Sequence, residues 1–402
     1  MLVFNLNFMQ KKNLNHLLSE TVKILKDLIG FKTISGQKNL DLISYCEEKL
    51  NSLGAKSIRT YSTNKLQANL FSTLGESENK GKGIILSGHT DVVPASPGDW
   101  TSDPFIAREK DNKIFGRGTC DMKGFIACTL AVAPLFSSKK LNVPIHFSYT
   151  FDEETGCLGA PLVLAELEKK NINFSACIIG EPTNMKAITA HKGYNEYITH
   201  FTGLSGHASN PEVGVSAIEY AIQYSNKLLE LRDELKKRNS KKTIFSPSYS
   251  TLQVGKISGG LGANVIADQC SLEWEVRPIN KEDGEFISNN IDTYAKDILM
   301  PKIKKNNPKG DIKKEIVGEV VGFNKEDSSE AVNLVCNLTG DNEKNTMSFG
   351  TEAGLFQKSG ISTVICGPGS IEQAHIVDEY ITYDQLKKCL KMLISLQEKI
   401  IN

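Results

Sequence analysis

Five short segments of this sequence combine glycine with side chains that bind metals or move protons. They are Gly88-His89-Thr90-Asp91, Gly116-Arg117-Gly118-Thr119-Cys120-Asp121 and Asp152-Glu153-Glu154-Thr155-Gly156. The other two are Gly180-Glu181-Pro182-Thr183, and Gly367-Pro368-Gly369-Ser370 running on to Gln373-Ala374-His375. Each follows an apolar run of strand type, and in α/β sheets function concentrates at the carboxyl ends of strands. The set supplies two histidines, several carboxylates and no thiolate pair. That chemistry suits zinc or a similar divalent ion held by imidazole and carboxylate ligands.

The spacing within segments carries further expectations. His89 and Asp91 lie two apart, so on an extended segment they point the same way. Asp91 is then expected to accept from the ring nitrogen of His89 that does not face a metal, fixing its tautomer. Adjacent Glu153 and Glu154 can divide the labour, one binding metal and the other facing a bound water. Taken singly, each feature has a plainer reading. Asp121 could be a helix N-cap, Glu153 and Glu154 a solvated loop, and Glu181 beside Pro182 a turn. Cys120 has no histidine near it in sequence to activate it. Gly116-x-Gly118 lacks the third glycine of a dinucleotide loop, and Asp121 there would repel a pyrophosphate.

Elements that must position these residues are legible in the hydrophobic periodicity. Helices are expected at 12–30, 39–53, 122–136 and 159–170, with strands at 83–93, 143–151 and 176–180. That alternation indicates an α/β domain with a largely parallel sheet. The middle reads as strand 194–202, helix 213–237, strands 248–257 and 263–277, and helix 283–300, the outline of a compact two-layer α+β domain. After about residue 320 the α/β pattern returns with strand 362–366 and helix 383–399. Lys-rich stretches at 235–242 and 302–314 are read as solvated helix ends and loops.

Composition bounds the possibilities. The chain has 402 residues, 47 Lys+Arg and 47 Asp+Glu, so its formal net charge is zero. No basic excess drives nucleic-acid binding, and no apolar run is expected to reach the roughly 18–20 residues that span a bilayer. The first fifteen residues are read as no signal peptide, because their lysines follow the apolar stretch. Nine scattered cysteines without a C-x-x-C pair favour a reduced, cytoplasmic protein.

In their order, GHTDVVP, GRGTCDMKG, FDEETG, GEPT and GPGS…QAH resemble the di-zinc aminoacylase and carboxypeptidase family, the succinyl-diaminopimelate desuccinylase-like metallohydrolases. The resemblance covers the chain from about residue 20 to about 395. It implies that His89, Asp121 and Glu181 hold one zinc ion. Asp121, Glu154 and His375 would hold a second, with Asp121 bridging and Co2+ a possible substitute. It implies Glu153 as general base beside Asp91, and a cis peptide after Asp121. It also implies a zinc-peptidase-like catalytic domain, with a central mostly parallel sheet, formed by 1–191 and 321–402. Residues 192–320 would be an inserted two-layer α+β, ferredoxin-like lid and dimerisation domain. His207 in that lid would stabilise an oxyanion, in its own chain or across a homodimer.

Within the family, Gly180–Thr183, Ala190-His191-Lys192-Gly193, Gly203–Ser209, Thr351-Glu352-Ala353 and Gly367–His375 are most similar to members that deacetylate N-acetyl-L-ornithine, a step of arginine biosynthesis. The implied partner is a small N-acyl amino acid, with no nucleic acid and no membrane. Arg277, with Asn264 as an added donor, is expected to take its α-carboxylate. Glu352, after Thr351, is expected to take a distal ammonium. Succinyl-diaminopimelate or another N-acyl amino acid stays open as substrate, since related enzymes share the metal set. Two other readings are a non-catalytic binding member of the fold, which would have no use for Glu153, and a nucleotide-binding oxidoreductase.

Overall fold

Apolar runs flanked by glycine and polar clusters become strands, and stretches with apolar residues three and four apart become helices. The computed structural model describes residues 2–75, 82–238 and 243–401. In chain order the elements are α1 (Leu2–Gly30), α2 (Leu40–Asn51), β1 (Lys56–Tyr61), β2 (Ala68–Leu74), β3 (Gly83–His89), β4 (Arg108–Lys110) and β5 (Lys113–Phe115). They continue with α3 (Gly124–Ser137), β6 (Ile145–Thr150), α4 (Ala160–Lys169), β7 (Phe174–Pro182), β8 (Ala187–His191), β9 (Tyr194–Thr202) and α5 (Ala217–Arg238). Then come β10 (Thr251–Gly259), β11 (Gln269–Arg277), α6 (Lys281–Tyr294), α7 (Met300–Asn306), β12 (Asp311–Val320), α8 (Glu330–Thr339) and β13 (Lys344–Met347). The chain finishes with α9 (Ala353–Lys358), β14 (Thr363–Gly367), β15 (Tyr380–Thr382) and α10 (Tyr383–Ile401).

Two compact units result: residues up to Thr189 with Asn324–Asn345 and Glu352–Asn402, and Ala190–Phe323 with Thr346–Thr351. The first contains an eight-stranded sheet in the order β1-β2-β6-β3-β7-β14-β8-β13. Its centre is parallel: β3 pairs with β6 and β7, and β14 with β7. Antiparallel pairs β1–β2 and β2–β6 flank one side and β14–β8 the other. Every residue of β3 and β6 is buried, as strands covered on both faces require. A separate three-stranded sheet joins β15, β5 and β4. Gly180 is the point where α3 presses on the large sheet; a Cβ there would lie 2.0 Å from the Phe125 ring.

The stretch Thr119–Ser137, an irregular turn followed by α3, is long and apolar enough to cross a membrane by composition, contrary to the expectation from apolar runs, and its most apolar window is 89% buried in the protein. Its helical part α3 is a core helix: Phe125, Ile126, Cys128 and Val132 pack in the main hydrophobic core with Leu25, Ile29 and Leu390.

The second unit is a four-stranded antiparallel sheet in the order β10-β11-β9-β12. With α5 and α6 this completes a β-α-β-β-α-β unit of ferredoxin-like type. Along β11, Cys270, Leu272, Trp274 and Val276 are buried and their neighbours are not, the period-2 pattern of a sheet covered on one face. Trp274 anchors that core, with Tyr197 at 4.5 Å between ring centroids and its indole N–H donating to Thr199 Oγ1 at 3.0 Å.

Several boundaries differ from the sequence reading. The Lys-rich stretch 302–314 contains the start of β12, because this edge strand pairs with β9 while Lys313 faces water and Lys314 turns inward to Asp292 at 2.7 Å. Residues 239–242 of the other Lys-rich stretch lie outside the described residues, as do Met1 and the side chains of the N-terminal segment through Lys12. The strand expected from residue 263 begins at Gln269; residues 262–265 turn, with the Val265 N–H donating to the Gly262 carbonyl at 3.1 Å.

Candidate active site

Four of the five chemistry-bearing segments leave the large sheet at neighbouring strands. His89 ends β3, Glu153 and Glu154 follow β6, Glu181 lies at the end of β7, and His375 follows β14 by way of a short 3-10 turn. The fifth differs from expectation: Asp121 follows β5 of the small sheet, and an irregular turn over Thr119–Lys123 carries it to the others. Gly118, with φ 82, supplies the left-handed residue that opens this turn. The Asp121–Met122 peptide is cis.

The side chains converge around Asp121. Its Oδ1 lies 3.0 Å from His89 Nε2, and its Oδ2 lies 3.3 Å from His375 Nε2. Glu181 Oε1 stands 3.8 Å from His89 Nε2, and Glu154 Oε2 3.1 Å from His375 Nε2. Two sets of ligand atoms fall within 4.8 Å of one another: His89 with Glu153 and Glu181, and His89 with Asp121 and Glu154. Glu153 thus stands among the ligand atoms themselves.

The electrostatics are those of crowded carboxylates. Burial, then the neighbouring Asp121, pushes Glu181 well up and Glu154 to about 7. Burial, offset in part by His89, pushes Glu153 well up as well. Asp121 is held low: burial opposes its charge, but His375 and His89 outweigh burial. His375 rises to about 10 through Asp121 and Glu154. Burial would lower the pKa of His89, yet Asp121, Asp91 and Glu181 overcome it and push it well above the usual imidazole value. Glu181 Oε1 is buried without a hydrogen-bond partner. A buried carboxylate oxygen without a donor is costly, and a divalent cation would satisfy it. Imidazole nitrogens and carboxylate oxygens are the donor set that zinc accepts, so the residues fit such an ion.

Asp91 has a wider part than the one its spacing suggested. His89 Nδ1 is 2.9 Å from the Asp91 backbone carbonyl and 3.5 Å from its carboxylate, so the carbonyl is the ring's closer acceptor. The carboxylate also accepts the backbone N–H groups of Glu153 at 3.0 Å and Glu154 at 3.3 Å, and the Ser35 hydroxyl at 2.7 Å. Asp152, with φ 51, accepts the Gly36 N–H at 2.7 Å and Gln67 at 2.6 Å. The Ser35-Gly36 loop after α1 therefore braces the carboxylate turn from below, and no motif in the sequence marks it.

Glu352 belongs to the same unit and is 1% exposed. Neither carboxyl oxygen closes a hydrogen bond. Burial raises it to about 7, opposed by the Thr150 hydroxyl and His89. Thr351, in the other unit, is tied to His191, whose Nε2 accepts from the Thr351 N–H at 3.2 Å.

In the second unit, His207 and Asn264 are brought together: the Ala208 N–H donates to the Asn264 carbonyl at 3.1 Å, and His207 bridges Val265. His207 Nδ1 accepts the Ser209 N–H at 3.2 Å, which leaves Nε2 to carry the proton. Arg277 lies elsewhere. It ends β11, whereas Asn264 precedes the start of that strand, so about 25 Å of extended chain separates them. They cannot grip one carboxylate together within this unit, contrary to the sequence reading. Arg277 is paired with Glu275, with Nε–Oε1 at 2.9 Å and Nη2–Oε2 at 3.1 Å, and it stacks over Tyr194 at 4.7 Å.

Comparisons with known proteins agree with this geometry. Residues 85–399 match the model of Peptidase family M20/M25/M40. The chain is similar to acetylornithine deacetylase of Pasteurella multocida, 34% identical over 362 residues that cover 90% of this chain and 91% of that protein. It is similar to acetylornithine deacetylase of Proteus mirabilis, 35% identical over 368 residues with 90% and 91% covered. In fold it is similar to aminopeptidase PepT of Bacillus cereus, with a TM-score of 0.70, 19% identity and 96% and 99% covered. It is also similar to the M20 family metallo-carboxypeptidase Sso-CP2 of Sulfolobus solfataricus, with a TM-score of 0.72, 19% identity and 95% and 99% covered. The chain is a hydrolase and belongs to peptidase family M20/M25/M40.

Proposed function

We propose that the protein removes the acetyl group from N-acetyl-L-ornithine, giving L-ornithine and acetate for arginine biosynthesis. The observation that carries the hydrolytic reading is the division of Asp121 between two ligand sets, Oδ1 toward His89 and Oδ2 toward His375. Similarity to the acetylornithine deacetylases supports the substrate.

Enzymes of this family are metal-dependent. His89, Asp121 and Glu181 would hold one Zn2+, and Asp121, Glu154 and His375 a second, with Co2+ able to substitute. When bound, the ions would polarise the amide carbonyl and lower the pKa of a water molecule. Glu153 takes the proton from that water and returns it to the leaving amine. Asp91 holds Glu153 in place through its backbone N–H. The Nε2–H of His207 donates to the developing oxyanion. Arg277 would exchange Glu275 for the substrate α-carboxylate, a bidentate partner of the same shape. Glu352, which closes no ion pair among the described residues, would take the side-chain ammonium.

The separation of Arg277 from His207 and Asn264 favours a homodimer built on the second unit, in which His207 serves the partner's site. The nine free, buried cysteines suit a reducing cytoplasm. Turnover of N-acetyl-, N-succinyl- and N-formyl-amino acids tests the reading. N-acetyl-ornithine is expected to give the highest kcat/KM, and faster hydrolysis of succinyl-diaminopimelate would overturn it.

A further inference from the structure

The stretch that delivers Asp121 has little regular structure to hold it. β5 ends at Phe115 and α3 starts at Gly124; in between, Gly118 is left-handed and Asp121 sits at φ −122, ψ 97. Buried backbone N–H groups in such a stretch need acceptors, and those of Gly116, Gly118, Cys120 and Asp121 all find one residue. Glu379 is 0% exposed. Its Oε1 accepts the N–H of Cys120 at 2.8 Å and of Asp121 at 3.1 Å. Its Oε2 accepts the N–H of Gly118 at 3.0 Å and Arg117 Nη1 at 2.8 Å. Its backbone carbonyl accepts the Gly116 N–H at 2.9 Å. Arg117 is fixed in turn, over the Trp100 ring at 5.1 Å.

Glu379 also sits where the two halves of the site meet. It follows His375 by four residues in the sequence and directly precedes β15, whose Tyr380 pairs with Phe115 of β5. One carboxylate therefore ties the loop that carries His375 to the loop that carries Asp121. We infer that Glu379 is a positioning residue that sets Asp121 against His375 and thereby fixes the affinity of the site for its metal ions, an inference that rests on the metal reading proposed above. Both oxygens of Glu379 are spent on the Gly116–Asp121 loop, so it acts through Asp121 and touches no reacting atom.

Glutamine at this position offers one acceptor oxygen where two are used. Its amide NH2 would face either the Cys120 and Asp121 N–H groups or the Gly118 N–H and Arg117. Donor then meets donor, and the loop must shift. Contacts that orient metal ligands from behind are commonly worth about 10–100-fold in metal affinity.

Glu379→Gln tests the inference. Metal-stripped wild-type and variant proteins are titrated with Zn2+ against a chromophoric chelator, the Co2+-loaded forms are compared by visible absorption, and the stripped forms are melted. Zinc affinity is expected to fall about 10–100-fold, with altered Co2+ bands. Unchanged zinc affinity and Co2+ bands with only a lower melting temperature would make Glu379 merely structural and overturn the inference. Wild-type protein that binds no zinc would overturn the metal reading itself, and this inference with it. Should Glu379→Gln fail to fold, Glu379→Asp, which keeps the charge and shortens its reach by one methylene, carries the same test.

Discussion

The backbone N–H of Glu153 donates to the carboxylate of Asp91 across 3.0 Å. Asp91 thus controls where the proposed general base stands, while its own carbonyl holds the ring of His89. Asp91→Asn keeps the size but leaves one good acceptor oxygen for three donors. The expected outcome is a fall in kcat/KM of roughly 10–100-fold with metal content retained in part. Steady-state kinetics alongside metal analysis checks this, and full activity in the variant would remove Asp91 from the positioning network.

Glu153→Gln separates proton transfer from metal binding. Zinc content and KM are expected to hold, and kcat to fall by about 10²–10⁴-fold, the usual worth of a general base. An unchanged kcat would take Glu153 out of the mechanism.

Removing metal by chelation is expected to abolish turnover, and Zn2+ or Co2+ to restore it. Because the ligands come together only in the folded chain, metal should also raise the melting temperature, by the equivalent of about 2.7 kcal/mol at a free concentration 100 times Kd. Undiminished activity after exhaustive chelation would contradict the proposed chemistry.

Glu352→Gln probes side-chain recognition. A charge-assisted hydrogen bond contributes about 1.5–3 kcal/mol, so kcat/KM for N-acetyl-ornithine should fall roughly 10–100-fold, and that for N-acetyl-methionine much less. Equal losses on both substrates would assign Glu352 to the architecture of the sheet.

His146 gives the fold a dependence on acid that is separate from catalysis. It is buried between Phe71 and Phe174, and burial lowers it from 6.5 to about 4. Between those values the unfolded chain binds a proton that the folded chain refuses, so stability falls as pH drops from 6.5 to 4, by at most about 3 kcal/mol, and is constant above that window. His191, lowered to about 4 by its own burial, adds a parallel loss. In His146→Phe the change in melting temperature between pH 7 and pH 5 should shrink, and an unchanged difference would refute the assignment.

The candidate ligand segments are legible in the sequence because function at strand ends leaves glycine and polar residues directly after apolar runs. His89, Glu181 and the Glu153-Glu154 pair carry that signature undiluted. The brace behind them was not legible. Ser35 and Glu379 sit in ordinary loops, and only the tertiary pairing of β15 with β5 brings Glu379 under Asp121. The reading of Asp91 is incomplete at the level of single atoms: its carboxylate stands 3.5 Å from the ring nitrogen, and side-chain spacing does not say that the backbone carbonyl comes closer, at 2.9 Å. Boundaries slipped for the same reason at β11: residues 263–268 are apolar enough to extend a strand, but the turn at Gly262–Val265 sends Asn264 to the far end from Arg277.

β14 lies between β7 and β8 in the finished sheet, and this order has a consequence for biosynthesis. A ribosome adding about 5–20 residues per second delivers Thr363 roughly 10–40 s after Pro182. Throughout that interval β7 has a bare edge, and unpaired strand edges are templates for aggregation. Most of the second unit, Ala190–Phe323, emerges as one uninterrupted stretch in the meantime. Vectorial synthesis therefore completes the inserted unit first and closes the catalytic sheet last, when the strand that also brings His375 drops into the open slot.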